Sequence, residues 1–325
     1  MTPPPSTQRR VSGHRRRQKP GSSFPAALAV QGVVAILLLG LVVVILASKW
    51  PSDPPKGPTA AAPGTSARAT QNADDGSGTG SGVAAGQKVL KLGDHPILQD
   101  AGSGLQNIVC DLPRWASDEA AAEAFFTAAT RCLNEAWQPF LTYYHLPFVA
   151  PQLHFPASNS FQTACGTIAV GVATAAYYCD NNLYVPYRGL QIDQYGDNPG
   201  VYLALIAHEY GHHVQEIAGI MDAVWQKIYQ AGQASPTGLD LARRKELQAQ
   251  CFSGMFLGAV VDRGGSITRD MYAKAWRDQD TRGDNTSGSR DHGSNSHYAA
   301  WWRVGAQYNR IAKCNTFTAP AADVS

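Results

Sequence analysis

The stretch that decides the reading is Val201-Tyr202-Leu203-Ala204-Leu205-Ile206-Ala207-His208-Glu209-Tyr210-Gly211-His212-His213-Val214-Gln215. An apolar run from Val201 to Ala207 leads into an H-E-x-x-H pattern, and Gly219 is placed to stop a helix, so the spacing predicts a helix over Val201 to Ala218. Residues four apart lie one above another on a helix, so His208 and His212 can offer two imidazole nitrogens to one Zn²⁺ while Glu209 stands beside it. From there Glu209 can take a proton from a water activated by the metal and pass it to a leaving amine. His213 points elsewhere, because it lies about 140° around the helix from His208 at 3.6 residues per turn. A structural or supporting role is expected for it.

A catalytic zinc takes three protein ligands and leaves a fourth position for water. Glu246, in Arg244-Lys245-Glu246-Leu247-Gln248-Ala249-Gln250-Cys251, is the first candidate for the third ligand. It lies in a second expected helix, Leu239 to Val261, which Thr237 can cap. Asp222, Asp240, Asp262, His292 and His297 compete with it, and charge and spacing alone leave the choice open.

Around these helices, large apolar residues run from Val89 to about Phe317, enough for one sizeable core. Asp118 to Tyr144 and Tyr298 to Lys313 read as further helices, and Gln152 to Phe155, Gly166 to Val172 and Asn182 to Tyr187 as short strands. The expected class is α+β, with a small sheet and the histidine-bearing helix in the middle of a domain at 89–318. Residues 319–325 read as a disordered tail.

The beginning of the chain has a different composition. Arg9, Arg10, Arg15, Arg16, Arg17 and Lys19 precede an apolar run from Ala26 to Ala47, in which Gln31 is the strongly polar exception. At about 1.5 Å per residue that run would reach roughly 33 Å as a helix, long enough for a bilayer and longer than the core of a cleaved signal peptide. The reading is a basic cytoplasmic tail at 1–25, a single span at 26–48 and a flexible tether rich in Pro, Ala, Gly, Ser and Thr at 49–88. The domain then lies outside the cell, anchored in the membrane. Cysteine usage agrees, because Cys110, Cys132, Cys165, Cys179, Cys251 and Cys314 all follow the span. In an oxidising compartment an even set points to disulfides, and six cysteines allow fifteen pairings. Nearness along the chain favours Cys110 with Cys132 and Cys165 with Cys179, which leaves Cys251 for Cys314. A net charge of +2, with the basic cluster placed just before the span, gives no sign of a nucleic-acid groove.

His208 to Gln215, reading HEYGHHVQ, and Glu246 to Cys251, reading ELQAQC, resemble the bacterial neutral zinc metallopeptidases, which are usually anchored by one amino-terminal span. Thr163-Ala164-Cys165-Gly166, Tyr178-Cys179-Asp180 and His292-Gly293-Ser294 extend the resemblance over most of 89–317. It implies a zincin-like fold, one Zn²⁺ on His208, His212 and Glu246, and hydrolysis of a peptide or protein substrate. It also implies an exposed strand beside the histidine helix, for which Asn182 to Tyr187 is the candidate, with Tyr184 or His292 available to an oxyanion. The chain departs from the family in two places. Gln250 stands where the family has an aspartate supporting a ligand histidine, and Asn295 to Ala300 strays from an Arg-containing segment. A neutral amide at Gln250 orients a ring without adding charge, so metal affinity or turnover is expected to fall about 10-fold or more. That departure also supports a second reading, a zinc-stabilised envelope protein that binds a partner without catalysis.

Overall fold

The computed structural model describes residues 86–171 and 174–325. The expected basic tail, membrane span and nearly all of the tether lie outside the described residues. Among the described residues no helix is long and apolar enough to cross a membrane.

Helix α1, Glu119–Tyr143, starts where the Asp118 carboxylate accepts from the Ala121 amide, and it buries Phe125, Phe126, Leu133, Trp137 and Leu141 on one side. Five short strands follow: β1 Gln152–His154, β2 Ser160–Thr163, β3 Gly166–Ala169, β4 Tyr177–Cys179 and β5 Asn182–Tyr184. β2 and β3 form a separate antiparallel hairpin, and the other three make a sheet in the order β1-β5-β4. β1 is parallel to β5, while β4 is antiparallel to it, with Tyr178 opposite Leu183. The expected strand at Asn182–Tyr187 is therefore central and ends at Tyr184, and a free edge belongs to β4. β2 and β4 escape sequence reading because three or four residues show too little alternation to detect.

Helix α2, Pro199–Ala218, carries the quoted stretch. Pro199 occupies the first turn, where its missing N–H costs nothing, and Gly219 ends the helix at φ 94°, in left-handed backbone. It is buried almost all round, which explains the continuous apolar run at its start. α3, Ile220–Ala231, follows directly. α4, Pro236–Val260, begins three residues before the expected start. Its cap is Ser235, which accepts from the Gly238 amide, and Thr237 lies within the first turn instead. α5, Arg269–Asp278, was not foreseen, and α6, Asn295–Tyr308, is capped by Ser294.

α4 is the organising element, packed between α2 on one side and α6 on the other. Trp137, Tyr202, Phe252, Phe256 and Trp302 fill the core around it. The cysteines pair as Cys110–Cys132, Cys165–Cys179 and Cys251–Cys314, the last joining α4 to the turn after α6. Residues 319–325, expected to be disordered, are exposed at Pro320 to Asp323 and at Ser325 but are pinned at Val324. Val324 is fully buried against Leu247 and Tyr298, and its carbonyl accepts from Arg243 Nε at 3.1 Å.

Candidate metal centre

One turn of α2 separates His208 from His212, and α4 crosses that turn with Glu246 facing them. Glu246 Oε2 lies 3.0 Å from His212 Nε2 and 3.4 Å from His208 Nε2. All three side chains are buried, and their ligand atoms fall within 4.8 Å of one another. Tetrahedral zinc with bonds of about 2.0–2.1 Å needs ligand atoms roughly 3.3 Å apart, so this donor set fits Zn²⁺ in chemistry and in spacing.

Each ring is turned toward the cluster by its other nitrogen. His208 Nδ1 donates to Gln250 Oε1 at 3.0 Å, and His212 Nδ1 donates to Gln215 Oε1 at 2.9 Å. Gln250 passes its amide hydrogen to Gln279, which donates to the Ala275 carbonyl, while Gln215 donates to Gln248 and to the Lys245 carbonyl. Both histidines are thus oriented by neutral amides. The two oxygens of Glu246 divide their work, because Oε1 is 2.7 Å from the Lys245 ammonium, which also lies over the Trp225 ring. Burial opposes the charge on Glu246, but His212, Lys245 and His292 together hold its carboxyl well below the usual range. Gln215 was legible three residues after His212 on the same helix. Lys245 carried no signal beyond its charge.

Changing Gln250 to Glu keeps the side-chain length and adds the missing charge beside His208. Zinc binding, measured by competition with a chromophoric chelator, is expected to tighten about 10-fold. The donation to Gln279 is lost in the same change, so the metal-free protein is expected to lose about 1–3 kcal/mol in denaturant unfolding.

Glu209 is buried next to the cluster, and burial pushes its carboxyl above the ordinary value. Two clefts meet there. A large one of about 670 Å³ is lined by Tyr177, Tyr178, Glu216, Trp225 and Tyr229, and a smaller one of about 200 Å³ by Tyr195, Leu205, Arg282 and Tyr298. His208, Glu209 and His292 line both. His292 Nε2 faces Glu246 Oε2 at 3.7 Å, while Asp291 Oδ1 accepts from its Nδ1 at 2.8 Å. Burial works against protonation of His292, yet Glu246 and Asp291 raise its pKa to about 9.

The other candidates lie apart. Tyr184 lines neither cleft and stacks on His154 and Phe161. Asp222 pairs with Lys88, Asp240 with Arg244, Asp262 with Arg269, and His297 bonds the Ser325 carbonyl. β4 borders the large cleft with Tyr177 and Tyr178, and its outer edge has no backbone partner among the described residues.

His213 points away from the cluster. Its Nε2 donates to the Val149 carbonyl at 2.8 Å, and its Nδ1 accepts from the Tyr178 hydroxyl at 3.2 Å. Burial lowers its pKa from 6.5 to about 4. Between those values the unfolded chain binds the proton and the folded one does not, so stability present above pH 6.5 is lost as the pH falls toward 4. The full effect is about 3 kcal/mol at roughly 1.4 kcal/mol per unit. Thermal unfolding followed from pH 7 to pH 4.5 is expected to fall less steeply in His213→Gln than in the parent, and equal slopes would count against this assignment.

Residues 112–317 match the family described as "Putative neutral zinc metallopeptidase". Over 170 residues the chain is 31% identical to the uncharacterized protein YpfJ of Escherichia coli, covering 48% of this chain and 58% of that protein. An uncharacterized protein of Mycobacterium bovis is 27% identical over 217 residues, which is 59% of this chain and 69% of the relative. The match therefore spans little more than half the length of the E. coli relative. No solved structure matches the chain. With most of its folded part matched, including His208, His212 and Glu246, the chain belongs to that family of neutral zinc metallopeptidases.

Proposed function

We propose that this chain is a zinc-dependent peptide hydrolase with a zincin-like active site, working in the cell envelope. The observation that carries the reading is the position of Glu209, buried beside the ligand cluster where both clefts meet. A purely structural zinc needs no carboxylate there. His208, His212 and Glu246 would hold the zinc, which when bound would supply a Lewis acid for water and for the scissile carbonyl. Glu209 takes the proton from the attacking water and delivers it to the leaving nitrogen. His292, held at Nδ1 by Asp291, turns its Nε2 toward the cluster, where an oxyanion develops. The free edge of β4 is suited to hold an extended peptide by backbone hydrogen bonds.

Three disulfides support an oxidising compartment. The apolar run from Ala26 to Ala47, behind an arginine-rich start, supports a membrane anchor with the amino terminus in the cytoplasm. The neutral support given by Gln250 favours the alternative of a zinc-stabilised binding protein. Zinc content and cleavage of a quenched peptide library, measured on the full chain, separate the two. One zinc per chain, with cleavage abolished by a chelator and restored by zinc, is the expected result. One zinc with no cleavage would favour the binding protein.

A further inference from the structure

The two clefts differ in charge. Asp180, Glu216, Glu246 and Asp291 line the large one, whereas Glu209 is the sole acidic residue lining the small one. The small cleft contains Arg282 instead. Its Nε donates to Asp278, and its guanidinium lies 5.3 Å from the centre of the Tyr195 ring. Asp278 thus fixes the side chain through Nε alone. The two Nη groups have no hydrogen-bond partner among the described residues, although the side chain is only 20% exposed. A guanidinium anchored in this way and open at its Nη edge presents donors that suit a carboxylate.

Strand direction says which part of a peptide reaches it. Ala175, just before β4, lines the small cleft and Ala176 lines both, while Thr174 and all of β4, Tyr177 to Cys179, line the large one. A peptide that adds to β4 in the antiparallel sense, the slightly more stable pairing, runs from the large cleft into the small one. Residues after the scissile bond then enter the small cleft.

We propose that Arg282 makes the small cleft a subsite for a carboxylate on the carboxyl side of the scissile bond, carried by an acidic side chain or by the peptide's own terminus. This rests on the peptidase reading for the position of the bond, but not for the binding itself. The test measures binding to zinc-loaded full-length Glu209→Gln by fluorescence anisotropy. The probes are amino-terminally labelled hexapeptide amides with Glu, Gln or Lys at each of the last three positions, together with the free-acid form of an all-neutral peptide.

About tenfold tighter binding of a Glu peptide or of the free acid is expected, and which of the two gains identifies the source of the carboxylate. The preference is expected to fall to parity in Arg282→Gln. It should also fall in Gln194→Glu, an exposed change on the wall of the same cleft that spares the Arg282–Asp278 pair. Equal affinity for Glu and Gln at every position, with no gain for the free acid, overturns the proposal, and so does a preference that survives both substitutions. If the preference is present but the parent cleaves nothing, the peptidase reading fails and the subsite stands.

Discussion

Glu209→Gln is expected to lower peptide cleavage by about 10²–10⁴-fold, the usual contribution of a positioned acid–base group, while zinc content stays at one per chain. The substitution keeps the shape of the side chain and removes its ability to accept a proton. Glu209 is not one of the three clustered ligand groups, so metal affinity has no reason to collapse. Stability is expected to move the opposite way from activity. Burial raises the Glu209 carboxyl, with Glu246 adding to the effect, so the ionised form is unfavourable in the folded protein. A neutral amide removes that cost, and the melting temperature of the metal-free variant is expected to equal or exceed that of the metal-free parent. Single-turnover cleavage, zinc analysis and thermal unfolding of the two proteins give all three readouts. Cleavage at the parental rate would remove Glu209 from the mechanism, and loss of zinc would recast it as a ligand.

That site was readable because its spacing is set by one helix. His208, Glu209 and His212 follow from the 3.6-residue period, and the same geometry set His213 aside. Glu246 is a long-range partner, and periodicity left it among six candidates. Resemblance to a family selected it, and the crossing of α2 and α4 brings it to 3.0 Å from His212. Features that depend on tertiary contact were harder. Asn182 to Tyr187 read as the exposed strand, yet β1 pairs with β5 on the side away from β4 and the free edge passes to β4. Ser235 displaced Thr237 as the cap of α4 because Pro236 fits the first helical position and lets the helix begin earlier. Residues 319–325 read as a disordered tail because they carry small residues with little to pack, but Val324 finds a buried seat against Leu247 and Tyr298. Lys245 pairs with its neighbour Glu246 and Arg282 with Asp278 four residues earlier, but the ring each lies over, Trp225 or Tyr195, is distant in sequence, and no local pattern announces it.

Gly211→Val is expected to weaken zinc binding by about 100-fold, the upper end for disturbed metal support, although it removes no ligand. Gly211 lies on α2 immediately before His212, where the Ala249 backbone of α4 passes close by. A Cβ at this position would lie 2.8 Å from the Ala249 carbonyl oxygen and 2.9 Å from Ala249 Cα, both backbone atoms that no rotamer change can move. Propensity argues for substitution, since glycine inside a helix costs about 1 kcal/mol relative to alanine. Packing argues against it, because forcing extra atoms into a filled interior costs typically about 1–3 kcal/mol, and here the two helices must part. Packing wins, and its consequence reaches the metal. Ala249 sits on α4 between Glu246 and Gln250, so a shift that clears its backbone carries away both the third ligand and the partner of His208. Ligand distances tolerate only about 0.2 Å, which a displacement of even half an ångström exceeds. Gly211→Ala should show the same loss in smaller measure, about tenfold in zinc affinity, by the scale of disturbed metal support. Ala249→Gly is expected not to rescue Gly211→Val, because the obstructing atoms are main chain. Chelator competition measures the affinity, and circular dichroism confirms that the variants remain folded. Zinc binding by folded Gly211→Val at parental affinity would show that something other than this helix crossing sets the spacing of the site.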